Sequence, residues 1–303
     1  MKKYYKIKND FINSRLDRWI KKNVCDIPQS LIEKNIRKGK IKVNNKKTKS
    51  SYNLQANDEV TFHNFNFKSR DNKKRLTYYN PTKSEISFTS NIFIENNENF
   101  AVINKPSGIA VQSGTKSLKN ILDILRKTKE FEGTIPYPVH RLDKETTGIL
   151  IVAKNRNYAQ LFTSLFRIRR IHKTYLAVIK GELSNEKGIF KDQLFYYEGK
   201  KKIVNSALSQ YTVIDAKSNY SLIKLIPETG RKHQLRKQLM IRGYSILGDK
   251  KYNLNAKLVN KNSHFYLHAS EISFKINNVK YNFSAELPEY FINFIKEKHL
   301  KTF

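Results

Sequence analysis

The first sixty residues predict two helices followed by a short β-ribbon. Apolar residues between Leu16 and Val24 recur at helical spacing. A capping-box pattern begins at Ser30, and Gly39 stands where a helix ends in the left-handed conformation, so a second helix is expected between them. Residues 41–43 then alternate and are followed by two asparagines, which is typical of a strand entering a turn. We therefore expect a small α+β unit over residues 1–62.

Residues 63–90 are polar and lack a sustained period, which predicts a linker. From residue 91 onward, apolar strand-like runs are mixed irregularly with helical segments. Strands are expected at 93–94, 100–103, 148–153, 175–179, 211–214 and 222–226, and helices at 117–125, at 156–169, from near Arg231 to Gly243, and from Pro288. Strands without regular intervening helices favour a mixed or antiparallel α+β sheet over a doubly wound fold, here a larger domain over residues 91–303.

The net charge of the sequence indicates what kind of partner the protein binds. The 303 residues carry 58 Lys and Arg against 26 Asp and Glu, a net charge of +32. Self-repulsion of this size opposes folding and would be of no use to an enzyme for small neutral metabolites, so a polyanion binder is indicated. Basic residues spread over many segments favour nucleic acid over a membrane surface. Residues 1–62 hold 16 basic and 6 acidic side chains, about twice the net charge density of the larger domain, which suggests a docking module.

The compartment is inferred from what the sequence lacks. Cys25 is the only cysteine, so one chain cannot assemble a disulfide framework or a thiolate zinc site. The chain has no run of ~18 apolar residues, and its first residues lack the apolar segment of a secretory signal. We expect a cytoplasmic protein that does not enter a membrane.

Two segments concentrate polar chemistry. In residues 138–154, a charged loop leads directly into an apolar strand, and in residues 227–236 a turn opens a helix rich in Arg, His and Gln. Helix N-terminal amides and arginines together bind phosphate or carboxylate, although ordinary charged surface would give the same composition. A metal set of His140, Asp143 and His233 is disfavoured because Arg or Lys flanks each histidine. Neither a nucleophile-elbow motif nor a nucleotide-binding loop is present.

The same segments resemble a known family. His140-Arg141-Leu142-Asp143, with Thr146 and Gly148, resembles the signature of the RluA family of pseudouridine synthases. The other family motifs follow in order at 104–108, 173–177 and 230–236, the last with Gly248-Asp249. Residues 1–62 resemble an S4 RNA-binding domain, a pairing that matches the branch acting on large-subunit ribosomal RNA. Thr147, Lys232 and Tyr244-Ser245 depart from the family pattern without touching the expected catalytic groups.

The resemblance implies the isomerisation of uridine to pseudouridine in RNA, without a cofactor or a metal. Asp143 would be the essential carboxylate, with Arg231 as its ion-pair partner. Tyr175 would contact the flipped base and could take the C5 proton, although a phenol with a pKa of about 10 is a poor base at neutral pH. Arg141 would fill the space left by the flipped uridine, and His140 would brace the loop. The expected RNA-binding residues are Arg141, His140, His233, Arg236 and Lys105 in the larger domain, and Arg15, Arg18, Lys34, Arg37 and Lys38 in the S4-like segment.

Two alternatives remain open from the sequence. One keeps the chemistry and moves it to transfer RNA. The other keeps the scaffold as a non-catalytic RNA-binding factor in ribosome assembly. In each case the expected partner is RNA, without a small-molecule cofactor, and the expected state is a monomer.

Overall fold

A computed structural model describes residues 2–8, 11–25, 27–63, 79–113, 118–198, 201–253 and 263–301. The chain divides into two compact units, Met1–Thr77 and Tyr78–Phe303. Among the described residues, no helix combines the length and the apolar character needed to cross a bilayer.

The first unit packs two helices on a three-stranded sheet. Its elements are β1 (Lys2–Lys6), α1 (Leu16–Asn23), α2 (Gln29–Arg37), β2 (Ile41–Val43) and β3 (Glu59–His63). The strands lie in the antiparallel order β1-β3-β2. The buried core includes Leu16 and Ile20 from α1 and Ile32 and Ile36 from α2, so the helical spacing in the sequence is confirmed.

Two local features of this unit differ from expectation. The capping box at Ser30 is wrong, because the N-cap of α2 is Pro28, two residues earlier, which has no side-chain cap bond. Strand β1 was not predicted because it consists of lysines and tyrosines and has no apolar alternation. It forms through its pairing with β3, from Lys2 opposite His63 to Lys6 opposite Glu59. Gly39 has the expected positive φ, 71°.

The helices of the second unit are α3 (Lys83–Ser90), α4 (Ile121–Leu125), α5 (Arg156–Arg167), α6 (Gln234–Ile241) and α7 (Glu289–Glu297). Helix α3 corrects the predicted linker at residues 83–90. A capping box between Thr82 and Glu85 starts this helix and stabilises it without an apolar stripe. Residues 64–78 of the predicted linker, and residues 114–117 before α4, lie outside the described residues.

One large mixed sheet organises the second unit. Its strands are β4 (Phe93–Asn96), β5 (Phe100–Lys105), β6 (Tyr137–Pro138), β7 (Thr147–Ala153), β8 (His172–Lys180), β9 (Lys187–Glu198), β10 (Lys201–Lys217), β11 (Tyr220–Pro227), β12 (Leu267–Ile276) and β13 (Val279–Ser284). The order is β4-β5-β7-β12-β8-β11-β10-β9, with β13 beside β12 and β6 beside β7. Every described pair is antiparallel except β7 with β12. The predicted mixed sheet is therefore confirmed.

The topology brings the two polar segments of the sequence together. Strand β7, which follows the charged loop, and β11, which precedes α6, are separated by β12 and β8. Helix α6 packs through Leu235 and Leu239 against apolar residues of β8 and β11, including Ala177 and Leu225. The loop before β7 and the turn before α6 consequently line the same cleft.

Candidate active site

The loop that carries Asp143 is fixed by bonds at several points. Lys144 offers its carbonyl to the amide of Gly108 at 3.0 Å and to the Lys105 ammonium at 3.1 Å. The Ser107 hydroxyl donates to the carbonyl of Glu145 at 3.0 Å. The segment 105–108 therefore acts as a clamp that holds Asp143 in place.

The loop ends at Gly148, and the space around this residue admits only a glycine. It has φ 103°, and a Cβ at this position would clash with the backbone of Ala269 on β12. The close approach belongs to the β7–β12 contact, where Gly148 pairs with Ala269 in parallel. A glycine at this point lets the Asp143 loop end against the centre of the sheet.

Asp143 shares one arginine with a second carboxylate. Nη1 of Arg236 donates to Oδ2 of Asp143 at 3.0 Å. The other edge of the same guanidinium, Nε and Nη2, donates to both oxygens of Asp249 at 2.7 Å each. Burial by itself lowers the pKa of Arg236, but its bonds to Asp249 and Asp143 outweigh that effect and raise it. Arg236 is therefore a permanent cation fixed in orientation by Asp249, and it presents one N–H to Asp143.

Asp249 is itself held by the backbone. Its Oδ1 accepts from the amides of Lys251 and Tyr252, at 2.8 Å each. Burial alone would raise the pKa of Asp249, but the bonds from Arg236 and from these amides hold it below its usual range. The preceding Gly248 has φ 79° and leaves no room for a Cβ beside the carbonyl of His264. The Gly248-Asp249 pair of the sequence thus forms the support of the arginine.

The predicted pairing of Arg231 with Asp143 is wrong. Arg231 is exposed and its Nε donates to the carbonyl of Ser206 on β10 at 3.0 Å. The segment from Arg231 to His233 is a turn, and α6 begins only at Gln234. Arg236, predicted as an RNA-binding residue, lies on the first turn of α6 and takes the place assigned to Arg231.

His233 completes the surroundings of Asp143. It adopts the left-handed conformation at φ 54° and ends the turn before α6. Its Nε2 lies 3.5 Å from Oδ1 of Asp143, and its Nδ1 is 2.8 Å from the hydroxyl of Tyr252. Burial lowers the pKa of His233 to about 4, although Asp143 works in the opposite direction. The ring is consequently neutral at neutral pH, and Arg236 is the cation bonded to the carboxylate.

Tyr175 lies on β8 and lines the same cleft as Asp143. Burial, and secondly the charge of Asp143, raise its pKa above the ordinary value. The phenol therefore keeps its proton at neutral pH. Two residues earlier on the same strand, Lys173 also lines the cleft, and burial lowers its pKa.

Two residues predicted to bind RNA have other tasks. Lys105 has no exposed surface, and its ammonium donates to the carbonyls of Pro106 at 2.8 Å, Ile109 at 3.0 Å and Lys144. Burial lowers its pKa to about 7. The prediction of an RNA contact is wrong for Lys105, because the end of β5 turns the side chain inward onto three backbone carbonyls.

His140 lines the cleft but uses its ring inside the protein. Its Nε2 accepts the amide of Ile151 at 2.8 Å, and the ring stacks on Phe166 with 4.6 Å between centroids. Burial, with a smaller effect of Lys173, lowers its pKa to about 3. It is therefore neutral and bonds the loop to β7, whereas its neighbour Arg141 is exposed at the cleft.

The cleft has a volume of about 760 Å³. Asp143 lies in it with 26% of its side chain exposed. The basic residues that line it include Arg141, Arg167, Arg169, Arg231 and Lys232. A cavity of this size with a basic rim fits one extruded nucleotide and its phosphates.

The predicted phosphate contacts of the first unit fall into two groups. Arg15 donates to both oxygens of the buried Asp17, at 3.1 and 2.7 Å, so its guanidinium has a structural role. The other four are exposed on or next to α1 and α2: Arg18, Lys34, Arg37 and Lys38.

Sequence reasoning missed two parts of the site, Tyr252 and Lys173. Lys173 and Tyr175 were in the same motif, and the two-residue period of a strand would have placed both on one face. No pattern in the sequence pointed to Tyr252, whose ring lies beneath the Arg236 guanidinium, 5.0 Å from it.

Comparison with known proteins accounts for both units. Residues 14–60 match the S4 domain, and residues 99–240 match the RNA pseudouridylate synthase family. The chain is 34% identical to the ribosomal large subunit pseudouridine synthase C of Rickettsia bellii, over 93% of this chain and 97% of that protein. It is 31% identical to the protein of the same name from Buchnera aphidicola, over 95% of each.

A solved structure shares the fold of much of this chain. The human RNA pseudouridylate synthase domain containing 4 covers 72% of this chain and 96% of its own length, at a TM-score of 0.63 and 24% identity. The sequence matches extend across both units and include the loop of Asp143 and the turn before α6. The chain therefore belongs to the RluA family of RNA pseudouridine synthases, which are isomerases, and carries an N-terminal S4 domain.

Proposed function

We propose that this protein isomerises specific uridines of large-subunit ribosomal RNA to pseudouridine, with Asp143 as the essential carboxylate. The observation that carries the proposal is the position of Asp143, which is partly exposed in a basic cleft and bonded to an arginine whose other edge is held by Asp249. Support for the ribosomal substrate comes from the relatives at 34% and 31% identity, both named for the large ribosomal subunit.

The reaction balances without a partner. The bond from C1′ to N1 breaks, the base turns, and a bond from C1′ to C5 forms. C5 loses a proton and N1 gains one, so the formula is unchanged and no oxidant or cofactor is needed. Asp143 acts at the sugar or base of the extruded nucleotide, and Arg236 balances and aims its carboxylate.

Tyr175 acts as a wall and a hydrogen-bond donor for the base. Its raised pKa opposes use of the phenolate as the base that removes the C5 proton. The ring is fixed by apolar neighbours that lie along one face of the sheet, which gives the extruded uracil a flat surface to stack on.

The basic rim of the cleft and the first unit supply affinity. Arg141 is exposed beside Asp143 and is placed to occupy the position left by the uridine, since a guanidinium stacks between bases. The exposed cations of α1 and α2 dock the S4 unit on phosphates, largely without regard to base sequence. We propose that the enzyme acts as a monomer in the cytoplasm, where ribosomal RNA is modified.

Carbodiimide mapping of pseudouridine in total RNA tests the substrate. Cells with and without the gene are compared, with a strain carrying the Asp143→Asn variant as the matched control. Signals in large-subunit RNA that disappear in both the deletion and the variant support the proposal. Loss confined to transfer RNA would assign the same chemistry to the other substrate. Signals that persist in the Asp143→Asn strain would show that Asp143 is not the essential carboxylate.

A further inference from the structure

A second groove lies next to the catalytic cleft. Its volume is about 600 Å³, somewhat less than that of the cleft. It is formed by the end of α5, the start of β8 and the β12–β13 hairpin. Its lining includes Arg170, His172, Ser273, Lys275, Asn278 and Lys280.

The basic residues of this groove are not neutralised within the protein. Arg170, His172, Lys275 and Lys280 are all exposed. None of them takes part in an ion pair of the described chain. Among the described residues that line the groove, none is acidic. The charge is therefore available to a ligand.

The arrangement of two of these lysines opposes folding. Lys275 and Lys280 stand directly opposite each other in the β12–β13 hairpin, so their side chains share one face. Like charges in directly opposed positions destabilise a sheet. A bound polyanion would remove this repulsion. The lysine pair therefore suits ligand binding, although it does not stabilise the fold.

The groove and the cleft share a wall. Between the last residue of α5 and the first residue of β8, Arg167 and Arg169 line the cleft, and Arg170 and His172 line the groove. Since neighbouring Cα atoms are ~3.8 Å apart, one strand of RNA can cross this connection and touch both sides. The same short stretch of chain therefore supplies basic residues to both the cleft and the groove.

We propose that this groove binds the phosphate backbone of the RNA strand that flanks the uridine held in the cleft. The inference rests on the proposed function, because it takes the target nucleotide to lie beside Asp143. Phosphate contacts come from lysines, arginines and short polar side chains such as Ser273 and Asn278. None of the groove's apolar residues is an exposed large side chain, which favours RNA over an apolar protein surface.

The test removes the opposed lysines and compares a matched pair elsewhere on the sheet. The groove variant is Lys275→Gln with Lys280→Gln. The control is Lys180→Gln with Lys217→Gln, two exposed lysines flanking Tyr220 at the other end of β8, with Lys180 ~26 Å along the strand from His172. Both variants lose the same charge. Removal of the lysine repulsion leaves the thermal stability of the groove variant equal to or above that of the wild type.

The probe is an unmodified transcript of large-subunit ribosomal RNA, with Kd measured across a salt series. The groove variant should bind about tenfold more weakly than the control, and the slope of log K against log salt should fall by about 2. The kcat at saturating RNA should be unchanged. A short oligonucleotide that holds only the target uridine and its immediate neighbours lacks the flanking strand that the groove would bind, and all three proteins should bind it equally.

Equal affinity of the groove variant and the control for the long RNA would overturn the proposal. An equal loss on the short oligonucleotide would also overturn it, because the lysines would then act inside the cleft. Unchanged RNA affinity with weakened binding of polyglutamate would assign the groove to an acidic protein instead. Pseudouridine formation by the wild type is measured on the same transcript, so failure of the proposed function is seen separately from failure of the groove.

Discussion

Each unit of this protein holds an aspartate against an arginine. The two carboxylates differ in how much of their surface and hydrogen-bonding capacity is left for a ligand. Asp17 of the first unit has 1% of its side chain exposed and accepts bonds from Arg15, the amide of Arg18 and Gln29. Asp143 of the second unit has 26% exposed and accepts a single hydrogen bond from Arg236 among the described residues. Asp17 is saturated by its own unit, whereas Asp143 faces a cleft.

The difference lies in where the surrounding structure directs its donors. In the first unit they converge on Asp17. In the second unit Arg236 directs two of its three bonds at Asp249, and only one reaches Asp143. A carboxylate held rigidly but left with free acceptor capacity is suited to act on a substrate. Substitutions at these carboxylates and at the residues around them test this contrast.

The largest effect is expected from removing each carboxylate in turn. Asp143→Asn should lower pseudouridine formation by at least about 1,000-fold while RNA affinity is kept, because the amide retains the shape and loses the charge. Asp17→Asn should leave kcat unchanged and destabilise the first unit by about 1–3 kcal/mol, since its donors lose a charged acceptor. Single-turnover assays and thermal unfolding measure the pair. If Asp143→Asn retained activity, Asp143 would not be catalytic and the contrast with Asp17 would be wrong.

The second effect separates the arginine that holds Asp143 from the one that the sequence suggested. Arg236→Gln leaves the buried Asp249 without its partner and should cost about 3 kcal/mol of stability. The same change frees Asp143 and should lower kcat about 100-fold through misplacement. Arg231→Gln, at an exposed residue, should change the unfolding free energy little. Urea unfolding and kcat are measured for both, and equal stability losses would contradict the assignment.

The third effect concerns acid, in which the two units should respond differently. Burial lowers the folded-state pKa of His140 to about 3 and of His268 to about 4, against 6.5 for an unfolded histidine. Below pH 6.5 the unfolded chain therefore binds more protons, so the second unit loses stability as the pH falls towards these values. At Asp17 burial raises the pKa, but the bonds from Arg15 and Arg18 lower it overall, so its contribution is kept down to about pH 3.8 and lost only below.

Trp19 makes this prediction measurable. It is the only tryptophan and lies in the core of the first unit. Between pH 6.5 and 4, thermal unfolding followed by circular dichroism should shift to lower temperature before Trp19 fluorescence does. Replacing His268 with Gln should flatten the pH dependence of the second unit. Simultaneous acid transitions of both signals would refute the contrast.

The smallest effect separates a phosphate contact from a structural cation in the first unit. Arg18→Gln should raise KM a few-fold, lower the salt slope by about 1 and leave Tm unchanged, because Arg18 is exposed. Arg15→Gln should lower Tm, because it removes two bonds to the buried Asp17. Salt-dependent binding and calorimetry distinguish them. A loss of stability in Arg18→Gln would show that Arg18 has a structural role like that of Arg15.

Local patterns predicted the elements that rest on local forces. The helical spacing that begins at Leu16 and the apolar run at 148–153 are confirmed because each reflects burial of one face or one whole strand. Strand β1 was missed because only its pairing with β3 makes it a strand. Helix α3 was missed because a capping box, rather than an apolar period, marks it.

The sequence by itself determined the excess of positive charge, the order of the two units, the family and the aspartate at the centre of its signature. Only the tertiary structure decided which cation reaches that aspartate. Asp143 and Arg236 are 93 residues apart, and the choice of Arg236 over Arg231 depends on the left-handed turn at His233 and on Asp249. It also decided that Lys105 is buried beneath the loop while the lysines of β12 and β13 face solvent. Composition counts these charges alike, and only packing separates those that bind the protein's own carbonyls from those left to RNA.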